Sequence, residues 1–161
     1  MKKLYLFLLA LLPIALLSSC SNDGDNLADV DMSVAMSNGI TKVDGVYYAV
    51  EGEPFTIDAI TATSVNGSAT AISGVDYYLN YRLIGYSLVS PFGASVVPTK
   101  LGNNVLQLYT TVLQVDKSIT MAYLEVPFVV VSSIEDIPGY DGSASTPVTY
   151  KGRISPAPST N

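Results

Sequence analysis

Few side chains in this 161-residue chain can do covalent or metal chemistry, and that scarcity narrows the possible functions. There is no histidine, and Cys20 is the single cysteine. Nucleophilic catalysis commonly needs a base, usually histidine, beside a serine or cysteine. Zinc and copper sites draw on the same two residue types. Fourteen acidic residues leave a carboxylate pair arithmetically available for glycoside hydrolysis. They fall mainly in turns and at alternating polar positions, where solvated surface is the ordinary role. Asp23 and Asp25 lack the spaced acids, glycine and distal glutamate of a calcium loop. No glycine-rich phosphate loop precedes a helical pattern. The expectation is therefore no enzyme, no metal and no cofactor.

Cys20 sits at the end of a leader. Met1-Lys2-Lys3 is positive, and Leu4 to Leu17 is apolar apart from Pro13. About 20 apolar residues are needed to span a bilayer as a helix, and this run is shorter. It has no polar face to turn toward water, so a secretory signal fits better than a buried helix. A lone thiol has no partner for an internal disulfide. Leu17-Ser18-Ser19-Cys20 resembles the bacterial lipobox, an aliphatic residue and two small residues before the cysteine that is lipidated. The resemblance implies cleavage before Cys20, a covalent lipid on it and a membrane anchor, durable because more than one acyl chain is attached. The acidic residues directly after it resemble the surface-export signal of Bacteroidetes lipoproteins. The expected location is the outer membrane, at the cell surface, with the periplasmic face as the other possibility.

Without Lys2 and Lys3 the chain carries 6 basic residues against 14 acidic ones. That balance argues against nucleic acid or anionic lipid headgroups as partners, since both need a basic face. The expected organisation is a signal peptide over 1–19, a lipidated cysteine and acidic tether over 20–26, a domain over 27–131 and a tail over 132–161. The tail is rich in proline, serine and glycine, with one edge strand within Thr146–Ile154 and disorder from Ser155 on.

The domain region alternates in the manner of strands. Val30, Met32, Val34 and Met36 share one face, and Asn38-Gly39 and Asp44-Gly45 mark turns around two short strands. Phe55, Ile57, Ala59 and Thr61 alternate with Thr56, Asp58, Ile60 and Ala62 as the next strand. Val75, Tyr77, Leu79 and Tyr81 take one face of the next strand, and a second strand follows a tight bend near Asn80. Pro91 to Val97 is extended. Val105 to Gln114 and Ile119 to Val131 are long, joined by a polar connection at Val115–Ser118. Short strands at this spacing, with no amphipathic helical pattern, predict an all-β sandwich of about seven strands. Gly74 to Gly85, then Ser90-Pro91-Phe92, then Leu101-Gly102-Asn103-Asn104-Val105 resemble the bacterial immunoglobulin-like domains. The resemblance implies a Greek-key sandwich. With no tryptophan and one cysteine, the antibody-type core is excluded.

In that strand order Tyr78, Tyr109 and Tyr123 are neighbours on the outer face of one sheet, with Asn80, Gln107 and Glu125 beside them. Tyrosines flanked by amides and a carboxylate can stack on sugar rings or anchor a protein partner. Cross-strand aromatics that only stabilise a sheet would look the same. Lipoproteins with such domains resemble accessory parts of glycan-uptake or adhesion systems, which implies a glycan or an envelope protein as partner. The second expectation is a structural spacer or assembly subunit acting through sheet-edge pairing.

Overall fold

The computed structural model describes residues 30–65, 67, 69–114, 119–142 and 147–157. Cys20, the leader, the acidic tether, the Val115–Ser118 connection and residues 158–161 lie outside the described residues.

Eleven strands are formed by the described residues: β1 Val30–Ser37, β2 Ile40–Val43, β3 Val46–Val50, β4 Phe55–Ser64, β5 Thr70–Leu79, β6 Arg82–Ser87, β7 Ala94–Val96, β8 Gly102–Gln114, β9 Thr120–Val131, β10 Val148–Arg153 and β11 Ser155–Pro156. They make two sheets. The smaller runs β10-β1-β4-β7, and the larger runs β2-β3-β9-β8-β5-β6, with β11 paired to β9. Without the short additions, one layer is β1-β4-β7 and the other is β9-β8-β5-β6. This is the Greek-key order of an immunoglobulin-like or fibronectin III-like sandwich. The expected seven-strand framework is present, and β2, β3, β10 and β11 are added to its margins.

The core lies between the layers. Val30, Met32, Val34 and Met36 from β1 face Leu106, Leu108, Val112, Leu124, Val126 and Phe128 from β8 and β9. Phe55 meets Phe128 edge to face, with ring centroids 5.6 Å apart. Tyr77, 1% exposed, donates its hydroxyl to the carbonyl of Phe92. That bond ties β5 to the loop crossing toward the other sheet.

Three expectations change. In β4 the pairing with β1 skips a residue, since Ala35 faces Ala59 while Met36 faces Ile57. Asp58 is the extra residue, and its carboxylate accepts from Ser37 Oγ at 2.9 Å. The face inverts beyond it, so Ile60 is buried and Thr61 is exposed. Tyr81 does not join Val75 and Tyr77 in the core. Asn80 and Tyr81 have φ of 50° and 68°, the left-handed pair at the centre of a two-residue hairpin turn. Finally, the sandwich does not end at Val131. β10 pairs with β1 over six residues, Val148 and Ile154 are buried, and Ser155–Pro156 pair with β9 rather than trailing away.

Candidate functional site

The outer face of the larger sheet is built by strand register. Tyr109 on β8 lies opposite Tyr123 on β9 and Asp76 on β5, and Asp76 lies opposite Tyr86 on β6. One cross-strand row therefore reads Tyr86, Asp76, Tyr109, Tyr123. The next row reads Leu83, Tyr78, Gln107, Glu125. Directly opposed residues of an antiparallel pair point to the same side, so both rows face outward.

Tyr78, Tyr109 and Tyr123 are brought together. Tyr78 and Tyr109 meet edge to face with centroids 5.0 Å apart, and Tyr109 stacks on Tyr123 at 5.6 Å. All three are half-buried. Their rings pack on one another and present a continuous floor, not three open ring faces. Burial holds the Tyr109 phenol above its usual range, and nearby Tyr123, Tyr78, Glu125 and Tyr81 push it the same way.

The two amide residues have other duties. Gln107 has the outward parity but is only 1% exposed. Its Nε2 donates to Glu125 Oε1 at 3.1 Å, and its Oε1 accepts from the Tyr81 N–H at 3.1 Å. It underlies the face and is covered. Asn80 sits in the hairpin turn, off the face. Its Nδ2 donates to Asn104 Oδ1 at 2.6 Å, and its Oδ1 accepts from the Val105 N–H at 3.0 Å. Asn104 in turn donates to the carbonyls of Lys100 and Gly102 at 2.7 and 2.8 Å. These asparagines lock the β5–β6 hairpin to the start of β8.

Two aromatic residues of this face escaped the sequence reading. Tyr81 and Tyr86 are 74% and 70% exposed, the open rings beside the half-buried floor. Tyr86 shares the outer side with Leu83 because Ile84 is an extra residue between them, and strict alternation from Leu83 puts it on the other side. Tyr81 was hidden by treating the turn as continuing strand. Beside Tyr109 a shallow hollow of about 170 Å³ is lined by Asp76, Leu88, Thr111 and Met121 among others. Enclosed small-molecule pockets measure roughly 300–1,000 Å³, so this surface suits docking of an extended ligand better than enclosure of a compact one. Among the described residues no group of three histidine, cysteine or acidic side chains could hold a metal ion. No helix of the described residues is long and apolar enough to cross a membrane.

No protein-family model matches the chain. No curated protein matches it. Among solved structures it is similar to the fibronectin(III)-like modules of Clostridium thermocellum CbhA. That similarity has 21% identity and a TM-score of 0.37, covering 56% of this chain and 92% of that one. The fold assignment rests on the strand order above.

Proposed function

We propose that this chain is a non-catalytic, lipid-anchored envelope module that docks a glycan on the outer face of its larger sheet. The observation that carries the reading is the pairing of a tyrosine floor with two open rings. Tyr78, Tyr109 and Tyr123 make a half-buried apolar base, and Tyr81 and Tyr86 stand exposed at its β6 side. An aromatic ring offers an apolar face for the C–H side of a sugar and a hydroxyl for its polar rim. Asp76 and Glu125, both exposed within the rows, supply acceptors for sugar hydroxyls. Charges at those positions fit a protein partner less well, because the buried centres of protein interfaces are depleted of charge. Attachment through a lipid on Cys20, followed by the acidic tether, would hold this face at the outer membrane. That part rests on the leader sequence.

A glycan array probed with wild type and with the Tyr81→Ala/Tyr86→Ala double variant tests the docking face. Wild type binds a subset of glycans and the double variant loses that binding while keeping its β-sheet circular dichroism. Binding that survives the double change, or no glycan bound by wild type, refutes the reading. Incorporation of labelled palmitate, lost in Cys20→Ala, checks the anchor separately.

A further inference from the structure

The free edges of the two sheets are unequally protected. β7 has three residues, and β10 carries Lys151 and Arg153. β2 has four residues including Lys42, and Ile134, Ile137 and Tyr140 lie against it. Short length, inward or edge charges and covering segments are the usual means of keeping an edge from pairing with another chain. β6 has little of this. It is six residues long, has no lysine or proline, and carries one charge, Arg82, at its first position. Leu83, Ile84 and Tyr86 are 54%, 42% and 70% exposed, and the chain runs on into exposed Leu88 and Val89. Its one irregularity is Ile84, the extra residue where Tyr77 faces Gly85 and Tyr78 faces Leu83. The bulge bends the strand without placing a charge on it.

An antiparallel strand hydrogen-bonds its single neighbour through alternate residues and leaves the remaining N–H and C=O groups pointing outward along the edge. We propose that these groups pair β6 antiparallel with β6 of a second copy, about a two-fold axis normal to the sheet. Two observations favour a second copy as the occupant. Antiparallel self-pairing sends the two Arg82 side chains to opposite ends, so like charges are not opposed. The exposed apolar side chains of the strand meet their own kind across the join. Such an axis also keeps both outer faces on one side, so two tyrosine floors become one surface of twice the width. Six residues of edge bury an area at the small end of specific interfaces, and the pair is a weak one that high local concentration on a surface would promote.

This inference stands apart from the identity of any glycan, and its test reads mass. The full chain is expressed with a photo-activatable residue at position 84 and irradiated in intact cells. The expected adduct has twice the chain mass. It disappears with Leu83→Lys, and with Tyr86→Lys as a second variant, and persists with Leu101→Lys, an exposed position away from this edge. Sedimentation of the purified full chain should show the dimer dissociation constant rising more than about tenfold in the two edge variants, since each places a lysine charge among the apolar side chains that meet at the join. Retained circular dichroism shows that the variants fold. An adduct of any other mass identifies a different partner and overturns the proposal. So does the absence of a dimer adduct, or one indifferent to both lysines.

Discussion

Replacing Tyr77 with phenylalanine gives a stability loss with a distinctive pH dependence. The ring is buried between the layers, so the change leaves its volume in place and removes only the hydroxyl that donates to the Phe92 carbonyl. A buried acceptor left without its donor costs about 1–3 kcal/mol, so the variant should be about 2 kcal/mol less stable at pH 8. Burial also pushes the Tyr77 phenol from 10.0 up to about 12. A raised folded value means that the neutral form is favoured by folding. This contribution is complete below pH 10 and is lost as pH rises toward 12. At pH 11 the unfolded phenol is mostly ionised while the folded one is mostly protonated, and wild type has lost about 1.4 kcal/mol through this group. Tyr77→Phe has nothing to lose there. The other tyrosines, including Tyr109 and Tyr150, whose phenols burial also raises, titrate in both proteins and cancel. Urea unfolding at pH 8 and pH 11 should therefore show the gap narrowing by about 1.4 kcal/mol. A gap that stays constant, or widens, would refute the placement of this hydroxyl in the core.

Other substitutions address the turns and the last strands. Gly39 has φ +102°, and a Cβ there would lie 2.6 Å from the Pro54 carbonyl oxygen, whereas Gly45 at φ +85° has open space. Gly45→Ala should cost about 1–2 kcal/mol from backbone conformation alone, and Gly39→Ala at least about 2 kcal/mol more, by chemical denaturation. Asn80→Ala removes the bonds to Asn104 and Val105 and a residue tolerant of the left-handed region. It should lower stability by about 2 kcal/mol, seen as a fall in Tm. A chain ended after Val131 loses the β10 ladder and buried Val148 and Ile154, each worth about 1.5–3 kcal/mol on burial. It should show no cooperative melt.

Much of the sandwich was legible because period-two alternation is a local signal. β1 is the clearest instance, with each second residue buried over eight positions. The inversion at Asp58 was not legible, because a bulge belongs to the pairing of two strands and leaves no mark in the sequence of one. The extra Ile84 hid Tyr86 for the same reason. Counting along β8 placed Gln107 beside Tyr109, correctly as to side. Its burial depends on contacts to Tyr81 in the β5–β6 turn and to Glu125 on β9, which counting cannot supply. β10 was a faint edge strand on propensity, with Gly152 near its end. Its importance comes from β1, 122 residues away at the Asp31–Arg153 ion pair. Gly152 itself reflects close packing, since a Cβ there would stand 2.7 Å from Leu124 Cδ1.

The hydrogen bond from the Ile154 N–H to the Val30 carbonyl, 3.2 Å long, has a consequence for how the molecule is mounted. It ties the first residue of the first strand to the close of the last long one. Chain flanking the sandwich on either side therefore leaves from a single pole. A domain strung in series needs its entrance and exit at opposite poles, as beads on a thread do. This one has both at the same pole. The Asn80–Tyr81 hairpin is at the far pole, with the join to the start of β8 beneath it. Held by residues before Val30, the sandwich would present that hairpin farthest from its attachment and leave its flanks clear for lateral contact.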